Sequence, residues 1–277
     1  MLIQQQIAET AKEGGEVAEV NVAEGWARGL RLIRRIAGNA RYFTDAASKV
    51  PWDVESGDAA AGMAIDFYGR YQSEAVRRPD GTSRMAYVTP ANGSSFGADP
   101  IGMLRGAPSK ELAREFIEFV LSPAGQKLWN WKVGVPGGPH KYALRRLPIL
   151  PELYEPWFKH YRSDPGVNPY ADTSFVYHPE WTAGLFRVIG FVIQVSCIDT
   201  HDELQEAWEA LIEAGFPPEA TARFDSMERV DYQAALEMIK PALASGQKID
   251  QVRLAKALGD QFRRQYREAM TLARDKR

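Results

Sequence analysis

Along several stretches of this chain apolar residues recur every three or four positions; along a few short ones they run together. The first habit predicts helices and the second predicts buried strands. Residues 2–12 read as a short polar helix that Gly14-Gly15 breaks. Over 26–37, Leu30, Leu32, Ile33 and Ile36 lie among Arg28, Arg31, Arg34 and Arg35, which predicts an amphipathic helix with a solvated basic outer face, stopped by Gly38-Asn39. A short helical piece follows and ends at Gly57. Residues 59–65, Ala-Ala-Ala-Gly-Met-Ala-Ile, then form a small-residue apolar run of the length and character of a central strand covered on both faces. Residues 85–89 predict a second strand ending at Pro90, and 101–104 a third apolar segment. Between the first two, Arg78-Pro-Asp-Gly81 is turn chemistry.

The rest of the chain reads mostly as helix. Ser109 can cap a helix carrying Leu112, Phe116, Phe119 and Val120 on one stripe, and Ser122-Pro123 closes it and starts another. Residues 136–169 are dense in proline and glycine and predict an irregular connection over a surface. The apolar segment 183–198 is about 16 residues long and contains Arg187 and Gln194, short of the roughly 20 apolar residues of a span, so it reads as a buried helix. Thr200 with Glu203 suggests a capping box for a helix through Leu204, Trp208 and Leu211 that Gly215 ends. Two further amphipathic helices cover 232–244 and 250–273. Strands alternating with helices predict an α/β layered fold.

Composition narrows the classes. The chain has 277 residues, 45% hydrophobic and 25% charged, which excludes collagenous and wholly disordered chains. A net charge of −2 supplies no global field for nucleic acid, so no nucleic-acid partner is expected. One cysteine, Cys197, allows neither an intrachain disulfide nor a thiolate metal cluster. The first residues lack the basic region, apolar run and cleavage site of a secretory signal, so as written the chain is expected not to be exported.

Catalytic patterns are sparse. There is no Gly-x-Ser-x-Gly elbow, no phosphate-binding loop and no His-Glu-x-x-His. Cys197 and His201 have the spacing of a thiolate and its base, but the buried character of 195–198 and the capping box between them favour a structural reading. Asp199, His201, Asp202 and Glu203 resemble a metal cluster, yet acids gather at helix starts because they oppose the macrodipole. His140, His160 and His178 have no ligand spacing, so no catalytic residue, no metal ligand and no cofactor is predicted. Asn92-Gly-Ser94 matches a glycosylation pattern of the kind that chance supplies. What remains is a group of binding type. Asp66, Tyr68 and Tyr71 follow the 59–65 strand, at the carboxyl edge where open α/β sheets place ligand groups, and the Asn92-to-Ser95 loop adds Ser94 and Ser95 as donors.

A family resemblance rests on a series of motifs in order. They are Asn39-Ala-Arg-Tyr-Phe-Thr44, the stretch from Val54 through Gly57-Asp58 to Ile65-Asp-Phe-Tyr68, Asp99-Pro-Ile101, Arg105-Gly-Ala-Pro108, and Ala113 through Ser122-Pro123 and Gln126 to Trp129. Asn168-Pro-Tyr170, Ser174-Phe175 and Cys197-Ile-Asp199 to Trp208 extend the series, which covers about 25–213. The chain resembles bacterial extracellular solute-binding proteins, specifically the ferric-ion-type branch of the periplasmic binding proteins that serve ABC importers. The resemblance implies a type II two-lobed α/β clamp that closes over a small molecule or ion and docks on a membrane permease, with no covalent chemistry and a periplasmic location. In iron-binding relatives adjacent tyrosines follow the strand corresponding to 59–65. Here Phe67-Tyr68 stands in that place, one phenolate short.

Relatives also begin with a signal peptide and a long first-lobe segment that this sequence does not display. An incomplete two-lobe architecture is therefore expected, cytoplasmic if the start is genuine, with an uncovered lobe face disposed to self-association. The expected division is a partial second-lobe region over 1–90, a return segment over 91–135, a crossing segment with lobe-completing helices over 136–215, and a helical C-terminal extension over 216–277. The rival reading is a cytosolic helical interaction module that binds a protein partner through 26–37 and 232–273, without a small-molecule ligand.

Overall fold

A computed structural model describes residues 1–14, 19–90, 93–171 and 175–275. Gly15, Asn92 and Ser174, which figured in the sequence reading, lie outside the described residues. The chain divides into two compact units, one made of Met1–Phe43 with Tyr177–Arg277 and the other of Thr44–Val176. The first unit opens with α1 (Leu2–Gly14) and α2 (Glu19–Gly38). The second contains α3 (Lys49–Ser56), α4 (Asp66–Ala75), α5 (Lys110–Leu121) and α6 (Pro123–Asn130), then two short 3-10 turns. On its return to the first unit the chain forms α7 (Pro179–Thr182), α8 (Phe186–Ile193), α9 (His201–Glu213) and α10 (Pro218–Phe224). It finishes with α11 (Tyr232–Ala234), α12 (Lys240–Ala244) and α13 (Lys248–Arg274).

This architecture overturns the α/β expectation. Among the described residues there is no sheet, and strand-like pairing is confined to an isolated antiparallel bridge between Trp131 and Arg162. Residues 59–65, 85–89 and 101–104 are irregular backbone, so among the described residues there is neither the layered sheet nor the α/β lobes of a type II clamp. The physical reason lies in the residues themselves. Alanine and glycine are poor strand formers, and a strand exists only when a neighbour takes its backbone donors and acceptors. Small size and lack of charge are shared by strands and by extended coil.

Helix signals fared better. Ser122 Oγ accepts the Gly125 N–H at 3.2 Å, with Pro123 in the first turn, the cap expected at that point. α9 begins at His201 and Gly215 takes the left-handed conformation just beyond its end, although Thr200 makes no side-chain cap bond to it. The helix expected over 232–244 is continuous through α11, a π-helical segment Ala235–Ile239 and α12, started by Asp231, whose carboxylate accepts the Ala234 N–H at 2.8 Å.

Apolar stripes from α1, α2, α8, α9, α10 and α13 make the core of the first unit, where Ile7, Trp26, Leu204, Leu211, Phe224, Phe262 and Tyr266 are fully buried. Trp26 donates its indole N–H to Val230 O at 2.9 Å, and Tyr266 donates its hydroxyl to Ser196 O at 2.6 Å. Arg34 corrects the expectation of a uniformly solvated arginine face on α2. It is buried, donates to Phe224 O at 2.5 Å and Ser226 O at 3.1 Å, and lies over the Phe262 ring at 5.1 Å. A cation there satisfies the open carbonyls at the end of α10, where the helix dipole is negative.

The helical run Pro179–Ile198 is 20 residues long and, by length and composition alone, apolar enough to cross a membrane. In the structure its Trp181, Leu185, Val188, Val192 and Val195 pack into the first unit's core, while Phe186 points outward.

Candidate functional site

The sequence-predicted site residues lie in the second unit. α4 starts at Asp66, directly after Ile65 in extended conformation, and an acid in the first turn opposes the helix dipole. At 3.6 residues per turn, Tyr68 and Tyr71 fall on one side of α4, and Asp66 with Arg70 on another. The structure thus places three expected residues on one helix but on two of its faces. Tyr68 is half-buried and its ring lies 4.5 Å from that of Phe67, whereas Tyr71 is exposed. Ser94 is half-buried and Ser95 exposed, both on irregular backbone separate from α4.

On the Asp66 face the structure builds a charge network. The Arg70 side chain is only 9% exposed, and its Nη2 donates to Asp66 Oδ2 at 2.5 Å and to Arg145 O at 3.1 Å. Asp66 keeps 34% of its side chain exposed. Behind Arg70 lies Asp164, almost wholly buried, with Oδ1 3.6 Å from Arg70 Nε. Arg145 donates to that same oxygen from Nη2 at 2.6 Å and from Nε at 3.2 Å, and Asn130 donates to Oδ2 at 3.0 Å. Both oxygens of buried Asp164 are thus matched, while Arg70 Nε and Asn130 Oδ1 have no hydrogen-bond partner.

Local backbone pairing explains how distant residues meet. Ser163 N–H donates to Asn130 O at 2.7 Å and Lys132 N–H to Tyr161 O at 2.8 Å, which lays the 161–163 segment along the end of α6 and carries Asp164 to Asn130. Arg145 adopts the left-handed conformation, φ 55°, in order to turn into the cluster. Next to it, buried Arg162 donates to Val167 O at 2.8 Å and Pro165 O at 2.9 Å and lies 4.8 Å over the Tyr154 ring. Burial raises the Tyr154 phenol above its ordinary value and lowers the Arg162 guanidinium below its own.

Where iron-binding relatives are expected to carry a phenolate, the Phe67 ring is covered by the Arg146 guanidinium at 3.8 Å, and Arg146 pairs with Asp99 at 2.7 Å. That position presents a cation and an aromatic face instead of an oxygen ligand. Cys197 is buried, and burial pushes its thiol upward. The ring of His201 meets Ala37 O at 3.2 Å and the Phe43 ring at 5.0 Å, contacts of a structural histidine.

Arg70, Asn130, Arg145 and Asp164 were missed by the sequence reading. Arg70 carried one signal, its place four residues after Asp66, the spacing of a helical ion pair. The other three carried none, because only the pairing at the end of α6 brings them in. A groove of about 590 Å³ lies elsewhere in the second unit, lined by Phe119, Leu128, Val135 and His140 among others and by no residue of α4. It is mostly apolar and has no Asp, Glu, Lys or Arg in its lining, so α4 has the stronger chemistry for holding a polar guest.

Residues 2–143 match the family described as bacterial extracellular solute-binding protein. No curated protein and no solved structure matches the chain. The match takes in Asp66, Tyr68, Arg70, Tyr71, Ser94, Ser95 and Asn130, and ends just before Arg145. Members of that family are extracellular or periplasmic, are typically not enzymes, and bind solutes for ABC transport. Covering half of this chain, the match shows that it belongs to the bacterial extracellular solute-binding protein family.

Proposed function

We propose that this chain binds a small polar solute reversibly on α4, with Asp66 as its charged contact, Tyr68 and Tyr71 as phenolic contacts, and Ser94 and Ser95 as further hydrogen-bonding groups, and that it delivers the solute to a membrane permease. The observation that carries this reading is the half-open state of Asp66. Its carboxylate remains one-third exposed while its partner Arg70 is buried and held from behind, so the carboxylate can take a guest without the network losing its frame. Association needs no bond made or broken, which agrees with a family that is typically not enzymatic.

The test is a thermal-shift and calorimetric screen against iron(III), phosphonates, polyamines, thiamine, sugars and amino acids. A binding solute should raise the unfolding midpoint by mass action. Asp66→Asn should weaken it roughly tenfold or more, and Tyr68→Phe and Tyr71→Ala by less. A solute that binds equally well to all three variants would place the site away from α4.

A further inference from the structure

We infer that one face of the second unit adsorbs to an anionic lipid bilayer, a contact in which α4 takes no part. Its basis in sequence is an uneven spread of charge. Between Glu118 and Glu152 the chain has no acidic residue, yet it carries Lys127, Lys132, Lys141, Arg145 and Arg146. Arg145 and Arg146 are taken by Asp164 and Asp99. The three lysines, and Lys159 beyond them, have no carboxylate partner among the described residues.

Folding gathers these cations around aromatic and apolar surface. Lys127 Nζ lies 4.8 Å from the Trp131 ring and 5.6 Å from that of Phe158, Lys132 Nζ donates to His160 O at 2.9 Å, and Lys141 Nζ lies 5.1 Å over Tyr142. These contacts join the end of α6, the loop after it and 157–161 into one surface. On it Val133 is 45% and Trp157 63% exposed, and Pro136 is exposed too. The loop is already closed on itself: Gly134 N–H donates to Pro139 O at 3.0 Å and Gly138 N–H to Val135 O at 2.9 Å, with Gly134 and Gly137 in the left-handed conformation. Its apolar tip is therefore presented with little further ordering to be done. The apolar groove of about 590 Å³ opens beside it, walled by Val135, Pro136 and Gly137 on the loop side and Phe119 on α5.

Charge and apolarity together decide the occupant. A soluble polyanion such as a single-stranded nucleic acid would use the lysines and stack on Trp157, but it has nothing to set against Val133, Pro136 and the groove. A bilayer supplies both layers. Its phosphates meet the ammonium groups of lysines whose stems lie along the rings, and the boundary between headgroups and acyl chains takes Val133, Pro136 and Trp157. Acids border the face: α5 carries Glu111, Glu115 and Glu118 against Lys110 and Arg114, and Glu152 and Glu155 precede Trp157. They confine the excess of positive charge to the loop side, so the contact is reversible adsorption rather than anchoring.

The experiment is co-sedimentation of the full chain with vesicles of phosphatidylcholine alone and of an equal mixture of phosphatidylcholine and phosphatidylglycerol. The chain should bind the mixed vesicles far better than the neutral ones, and less as salt is added. Lys141→Gln combined with Lys159→Gln, both at exposed positions, should weaken binding roughly twentyfold. Brominated acyl chains in the mixed vesicles should quench tryptophan emission, and Trp157→Phe should remove most of that quenching. Unfolding midpoints without vesicles should match the parent chain for each variant, which separates a lost contact from a lost fold. Equal binding to both kinds of vesicle, binding to neither, or indifference to the lysine pair overturns the inference. So does capture of a short single-stranded RNA as tight as that of the mixed vesicles with no bromolipid quenching, which would assign the face to polyanions. Asp66→Asn should leave vesicle binding unchanged, so that failure here and failure of the α4 reading are told apart.

Discussion

Residues 1–43 with 177–277 bury Trp26, Phe224, Phe262 and Tyr266 completely, with polar groups such as Arg34 and Gln265 set into a large apolar core, whereas 44–176 bury only Trp131, Leu153 and Tyr154 among their described large apolar side chains. Beside those three, the interior of the second unit holds Asp53, Arg70, Gln72, Gln126, Asn130, Arg162 and Asp164. On α5 no residue is buried, and Leu112, Phe116 and Phe119 all stand in solvent. One unit thus draws its stability mainly from area removed from water, the other to a larger share from directional bonds. A binding site belongs more naturally in the second, because charges already desolvated and oriented cost little further reorganisation when a guest replaces one of them.

The contrast sets the ranking of what substitutions should do. Trp26→Ala removes a fully buried ring from the first unit, along with its bond to Val230 O, and should cost about 4 kcal/mol. Urea unfolding followed by circular dichroism measures it. Hydrogen exchange shows whether the loss stays local: amides of α9 and α13 should lose protection while those of Lys132 and Ser163 keep theirs. Loss at both places would mean that the units unfold together.

Asp164→Asn tests the other kind of interior. It removes the central carboxylate from Arg145 and Arg70 and leaves two buried cations short of a partner, for an expected loss of about 3 kcal/mol. The amides of Lys132 and Ser163, bonded to Tyr161 O and Asn130 O, should exchange roughly a hundredfold faster. If Asp164→Asn is neutral, the cluster does not hold the second unit together and α4 needs another support.

The same division governs what could be read beforehand. Periodicity found the helices, because a stripe such as Leu204, Trp208 and Leu211 announces both an element and the face that it buries. The strands at 59–65 and 85–89 were misread because a strand is defined by its neighbour, and a run of alanine carries no trace of whether a neighbour exists. α2 shows the limit from a different angle: four arginines on one helix look alike in sequence, and only the open carbonyl end of α10 separates Arg34 from the rest. At the site, Asp66 and Tyr68 were visible as polar groups after an apolar run, and Arg70 could have been paired with Asp66 by spacing. Asp164 could not have been found, since its role depends on a backbone pairing between 130–132 and 161–163 that no local pattern encodes.

α5 supplies the last prediction and the one with the least expected change. Its spacing of Leu112, Phe116 and Phe119 is that of a helix with a core-facing stripe, yet Phe116 is 59% exposed. Stripe and exposure lead to opposite expectations. If the stripe is buried, Phe116→Gln removes a packed ring, and the loss should approach that of Phe262→Gln, a change at a fully buried position of the first unit. If the stripe is exposed, the substitution trades one solvated side chain for another and should alter stability by no more than about 0.5 kcal/mol. The structure favours the second outcome, and urea midpoints of the two variants measured side by side distinguish them. A Phe116→Gln loss that grows with protein concentration would show that the face is covered by another copy of the chain, because a contact between copies, unlike one within the fold, makes stability depend on how many copies are present.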